Sequence, residues 1–132
     1  MKKIAPLLLA GLLCSGAALA DDCDQATTQL ELNQCSAGEY QKADKTLNET
    51  YKKVMARASA SQRDMLKEAQ NAWLKVRDAD CAFISSGVEG GSVQPMVHNQ
   101  CLADKTNDRN AYLESLTQCE EGDVSCPLPP QG

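Results

Sequence analysis

Residues 59–87 read SASQRDMLKEAQNAWLKVRDADCAFISSG, and this stretch decides the fold class. Leu66, Ala69, Trp73, Val76, then Ala79 or Asp80, and Phe83 recur in steps of three and four. That is the period of a helix that buries one face. Ser59 with Gln62, or Ser61 with Asp64, offers a capping box in which two backbone N–H groups are satisfied at the helix start. Ser85-Ser86-Gly87 then ends the helix.

The same period continues on both sides. Upstream, Leu30, Ala37, Tyr40, Ala43, Leu47, Tyr51, Val54, Met55 and Ala58 mark a first helix, with Thr27 or Thr28 as its cap. Gly38 interrupts that pattern at a cost of about 1 kcal/mol relative to Ala, so a break or irregularity is expected there. Downstream, a third helix is expected from Pro95 or Met96 to near Gln118, on Val97, Cys101, Leu102, Tyr112, Leu113 and Leu116. Lys105, Thr106 and Arg109 interrupt its apolar line. A loop over residues 85–96 contains Gly87, Gly90, Gly91 and Pro95. No internal repeat is present, and no strand pattern runs longer than a few residues. Short links make sequential helices antiparallel neighbours, so the expected fold is all-α, a small three-helix antiparallel bundle. Its expected core is Leu47, Tyr51, Trp73, Val76, Phe83 and Leu113.

Three segments divide the chain. Residues 1–20 read as a signal peptide: Lys2 and Lys3, an apolar run from Ile4 to Leu13, then Ala18-Leu19-Ala20 before Asp21. The run is shorter than the roughly 20 residues that cross a bilayer, so no membrane anchor is expected. Cys14 sits where a lipid-modified cysteine could sit, but Leu13 before it is not small. Residues 21–118 form the helical domain, and 119–132 an acidic, Pro-rich tail expected to be extended and mobile. Cleavage changes the arithmetic. Seven cysteines become six, and eleven basic side chains face eighteen acidic ones, so the formal charge goes from −5 to −7. That sign opposes binding to nucleic acid or an anionic membrane.

Six cysteines in an exported chain point to three disulfides rather than a metal site, since there is no C-x-x-C pair and His98 is the one histidine. Six allow 15 pairings. The up-down-up layout puts Cys23, Cys35, Cys81 and Cys101 near one pole, with Cys119 and Cys126 near the other. Bridged Cα atoms lie within about 7 Å of each other. Cys81–Cys101 is therefore the first choice, with Cys23–Cys35 and Cys119–Cys126 following by proximity.

Candidate chemistry is sparse. Arg77, Asp78 and Asp80, with Asp44 and Arg109, read either as an anion or sugar site or as a structural ion-pair network fixing helix register. The network of Asp44, Arg77, Asp78 and Arg109 is preferred, because a buried Arg needs partners. A glycosidase needs two carboxyl groups about 5–9.5 Å apart in a cleft, which a thin bundle hardly offers. Nucleophile and zinc motifs are missing, so neither enzymatic activity nor a cofactor is expected. The loop is different. Glu89, Gly90, Gly91, Ser92 and Gln94 are partner-binding candidates, because a long loop tied at its base loses less entropy when it docks. The same glycines also suit a plain connector.

One ordered set carries a resemblance. It runs Cys35; Ala43-Asp44, Leu47-Asn48 and Tyr51; Ala69-Gln70 and Ala72-Trp73; Arg77-Asp78-Ala79 and Cys81; Glu89-Gly90-Gly91-Ser92 and Pro95-Met96; Cys101; Arg109. The chain resembles the small secreted bacterial proteins of the lysozyme inhibitor LprI N-terminal domain-like family over about residues 23–117. The resemblance implies a protein partner, a basic lysozyme, and inhibition by binding. An envelope structural or adaptor module with no lysozyme affinity is the alternative. No inhibitory residues are carried over from the family. Amino-terminal sequencing of the protein recovered from the periplasm or medium is expected to begin at Asp21. A start at Met1, or a lipid-modified Cys14, contradicts that reading.

Overall fold

A computed structural model describes residues 23–129. The expected signal peptide and its Ala20-Asp21 cleavage site lie outside the described residues. The fold is all-α, with three long helices: α1 (Gln29–Arg57), α2 (Ala60–Ser85) and α3 (Gln94–Ser115). Short 3-10 turns occupy Cys23–Gln25 and Ser86–Val88.

Local chemistry sets the helix ends. Thr28 caps α1: its Oγ1 accepts the Glu31 N–H at 3.1 Å, and Glu31 Oε1 accepts the Thr28 N–H at 3.2 Å. Glu31 also accepts the N–H and hydroxyl of Thr27. These bonds, the Thr27 N–H foremost, hold its carboxyl below the ordinary value of 4.5. Their contribution is therefore present above the unfolded carboxylate's pKa and is lost as pH falls through the folded one. Ala58 leaves the helical conformation at φ −84°, ψ 152°. Ser59 then caps α2 reciprocally with Gln62, which decides between the two candidate boxes. α3 has no side-chain cap, but Pro95 sits in its first turn, where a missing N–H costs nothing. Gly38 does not break α1, which runs unbroken for 29 residues. Packing along the whole of α3 outweighs the propensity cost of one glycine.

The packing is unequal. α3 lies chiefly along α1 and less along α2, while α1 and α2 scarcely approach backbone to backbone. Small buried residues make the α1–α3 contact close: Ser36, Ala43, Thr50, Ala103 and Thr106. Their hydroxyls are satisfied, Ser36 by the Asn33 carbonyl at 2.9 Å and Thr50 by Glu114 at 3.2 Å. The apolar centre is Leu47, Val54, Ala58, Leu113 and Leu128, with Tyr51, Leu66, Trp73 and Leu116 packed against it.

Two expected core residues are outside. Val76 is 56% exposed and Phe83 76%. The buried residues of α2 are Gln70, Arg77, Cys81 and Ser85, a line well over a quarter-turn away from the apolar one. Cys81 must reach Cys101, and Arg77 lies between aromatic rings. Those two demands fix the rotation of α2 and leave Val76 and Phe83 of its apolar stripe facing solvent, while Leu66 and Trp73 still reach the core.

The tail, expected to be mobile, is docked over residues 119–129. Leu128 enters the core at 7% exposure. Arg57 donates to the carbonyls of Thr117 (3.0 Å) and Pro129 (2.7 Å), and Gln62 donates to that of Pro127 (2.9 Å). Asp123 accepts the Ser125 hydroxyl and N–H, and both bonds hold its carboxyl below the ordinary range. Leu113→Ala is expected to cost about 2–5 kcal/mol as a cavity mutation, whereas Phe83→Ala should stay within about 0.5 kcal/mol. Denaturant titration of the disulfide-intact protein separates them, and equal losses would return Phe83 to the core.

Candidate functional site

Five side chains form a ladder across the three helices. Arg77 of α2 lies between Tyr40 of α1 and Trp73 of α2, with its guanidinium carbon 5.4 and 5.3 Å from the ring centres. Arg109 of α3 lies between Trp73 and Tyr112, at 5.6 and 5.2 Å. Trp73 is thus shared by two cations. Arg77 is 6% exposed, so its charge needs compensation. It donates to Thr106 Oγ1 at 3.2 Å and to Asp78 Oδ1 at 2.9 and 3.0 Å. Asp78 is 62% exposed, and a pair with a solvated acid contributes only about 0–1 kcal/mol. Two desolvated ring contacts, at up to about 2 kcal/mol each, carry more.

The expected four-member ion-pair network is therefore corrected. Only Arg77–Asp78 is an ion pair among its members. Asp44 accepts from Asn48 at 3.4 Å and stays on α1. Arg109 donates to the side-chain Oε1 of Gln70 at 2.9 Å, and burial pulls its guanidinium below the ordinary value. Aromatic faces and neutral acceptors do the work expected of carboxylates. Lys105–Asp80, at 3.7 Å, is a separate surface contact between α2 and α3.

The disulfides are Cys23–Cys35, Cys81–Cys101 and Cys119–Cys126. The first two sit at the pole that carries the α2–α3 loop. That loop is tighter than its composition suggests, since the Ser86–Val88 turn and the start of α3 at Gln94 take up much of residues 85–96. The Glu89, Gly91 and Gln94 N–H groups donate to the carbonyls of Ser86, Val88 and Gly91. Gly90 turns at φ +82°, a region that a side chain rarely enters. Its N–H donates to the Gln94 side chain, and Asn33 of α1 donates to the Ser92 carbonyl at 3.0 Å. Gln94 thus supports the turn, while Glu89 through Ser92 are exposed.

A groove missed by the sequence reading opens at the other pole. It has a volume of about 290 Å³, and Val54, Leu66, Tyr112, Leu116 and Leu128 are among its lining residues, with Arg109 also on the lining. Val54, Leu66, Tyr112 and Leu116 belong to the helical stripes read from the sequence, whereas Leu128, an apolar residue between prolines, joins them only because the tail is docked. The sulfurs of Cys23 and Cys35 lie near the Glu39 carboxyl, but both sulfurs are committed to their disulfide. No helix among the described residues is long and apolar enough to cross a membrane.

The family model described as "Lysozyme inhibitor LprI" matches residues 20–113, which include α1, α2, the loop and nearly all of α3. An uncharacterized protein of Rhizobium meliloti (strain 1021) is 35% identical over 138 residues, covering 92% of this chain and 99% of the relative. No solved structure matches the chain.

Arg109→Ala removes two ring contacts and the Gln70 bond, and is expected to cost about 1–3 kcal/mol. Arg109→Lys keeps the charge but loses the planar stacking, and should recover less than half of that. Thermal unfolding measures both, and full recovery by Lys would show that charge alone matters.

Proposed function

The chain belongs to the lysozyme inhibitor LprI family, and on that premise we propose that it is an exported, non-enzymatic protein that inhibits a basic lysozyme by binding it. The family match carries the reading, because it spans nearly the whole helical domain. Charge supports it. The chain has a formal charge of −5, or −7 without residues 1–20, and complementary charge steers encounter with a cationic enzyme. The three disulfides suit the periplasm or medium, where oxidising conditions preserve them.

The loop is the proposed contact. Glu89 is exposed beside the Gly90 turn, and the Cys81–Cys101 bridge and the Asn33–Ser92 bond hold the segment that presents it. A segment already ordered loses little freedom on docking, so more of its contact energy reaches affinity. An acid on such a segment meets a cationic surface without the cost of ordering a floppy chain.

The test is a titration of the disulfide-intact protein, lacking residues 1–20, against wall lysis by a hen-type lysozyme. Lysis should fall in proportion to added protein, and less steeply at moderate than at low salt. Full lysis at large molar excess removes the function. Glu89→Lys should weaken inhibition about tenfold, a change of about 1.4 kcal/mol, and a neutral linker in place of Glu89–Ser92 should abolish it. Unchanged potency in both variants moves the epitope off the loop.

A further inference from the structure

α2 carries a second pattern on its solvent face. Met65, Ala69, Ala72, Val76, Ala79 and Phe83 alternate in steps of four and three, and all six are exposed. A 3.5-residue repeat keeps a seam facing one partner helix along its whole length. Burial in the bundle does not account for this line, because α2 packs inward through Gln70, Arg77, Cys81 and Ser85.

We propose that this seam docks a second copy of the chain, α2 against α2 in parallel about a two-fold axis. The flanking charges choose the occupant and its direction. Lys75 and Asp80 lie on opposite edges of the seam, five residues apart, the spacing at which flanking residues of parallel helices pair. The two-fold axis makes that contact twice, Lys75 of each copy beside Asp80 of the other. An antiparallel pair would instead bring the two Lys75 side chains together. Lys75 has no ion pair within its own chain among the described residues, and Asp80 holds only Lys105, at the long distance of 3.7 Å.

Shape agrees with charge. Ala69, Ala72 and Ala79 let the backbones approach closely, while Met65, Val76 and Phe83 fill the layers between and beyond them. The seam is about 27 Å long at 1.5 Å per residue. A helix pair of that length reaches roughly the 1,000 Å² at which a specific interface begins. The dimer is therefore reversible and dependent on concentration. Its parallel direction sets both α2–α3 loops at the same pole.

Sedimentation equilibrium of the disulfide-intact protein, lacking residues 1–20, tests this. The average mass should climb with concentration toward twice that of one chain. Val76→Glu should hold it at one chain, with helical circular dichroism unchanged and a melting temperature equal to that of the wild type at concentrations where the wild type is also a single chain. Lys75→Glu should weaken association about tenfold, and adding Asp80→Lys should restore it. A single-chain mass at every concentration overturns the proposal, as does a Val76→Glu variant that associates normally. Tighter association of Lys75→Glu overturns the parallel arrangement. A wild-type protein that stays single but loses lysozyme binding on Val76→Glu assigns the seam to a different partner and also overturns it.

Discussion

Trp73 between two guanidinium groups is the contact on which the arrangement of the three helices depends. The backbones of α1 and α2 scarcely meet, so long side chains must bridge the space between them. Arg77 does so by reaching from α2 to Tyr40 on α1, with Trp73 on its other face. Arg109 extends the stack from Trp73 to Tyr112 on α3. Flat rings and flat cations stack at set separations, so the ladder fixes spacing and rotation together. A core of aliphatic residues alone would tolerate some sliding. This one tolerates less.

The rotation of α2 has two further supports, one covalent and one polar. Cys81 is fully buried and bonded to Cys101 across a sequence separation of 20. Closing a loop of that size in the unfolded chain is worth about 3 kcal/mol on the chain-entropy view. Gln70, two turns before Arg77, turns its side-chain amide oxygen to Arg109. The three contacts lie along one line of α2, and each excludes the rotation that would bury Val76 and Phe83. A small domain with one Trp and one Phe thus places its Phe in water and buries an Arg. Burying Phe83 would be worth about 1.5–3 kcal/mol, which is less than the sum of a disulfide, the two ring contacts that cross between helices (Arg77–Tyr40 and Arg109–Trp73) and the hydrogen bonds that hold α2 in its present rotation.

Periodicity made the helices legible, because steps of three and four need only local chemistry. The caps were legible too, since Thr28–Glu31 and Ser59–Gln62 act within one turn. The facing of α2 was not. Its apolar stripe fits the helical period as well as a core stripe does, and nothing local distinguishes a stripe turned inward from one turned outward. Arg77 and Arg109 stand out in the sequence as misplaced charges, but a buried cation usually pairs with an acid, and that rule points away from the rings. The rings that take that role come from three different helices, and no spacing in the chain announces their meeting. The docked tail escaped for a similar reason: Pro127 to Pro129 reads as extended chain, and its clamp depends on Arg57 and Gln62, more than sixty residues upstream.

The two poles divide the labour of the bundle. One pole has two disulfides and the tight turn through Gly90, so its loop is held from beneath and from the side. The other has the docked tail, the third disulfide and an apolar groove with Arg109 on its lining. Between them runs the ladder, which fixes how the poles are turned relative to each other. Because α2 spends its polar residues inward, its outward face is left with Met65, Val76 and Phe83 in water. A monomer gains nothing from that exposure, and the ladder supplies the physical reason it persists. The contacts that set the rotation of α2 are the same contacts that turn its apolar seam to solvent, so the seam cannot be withdrawn without dismantling the stack that holds the helices together.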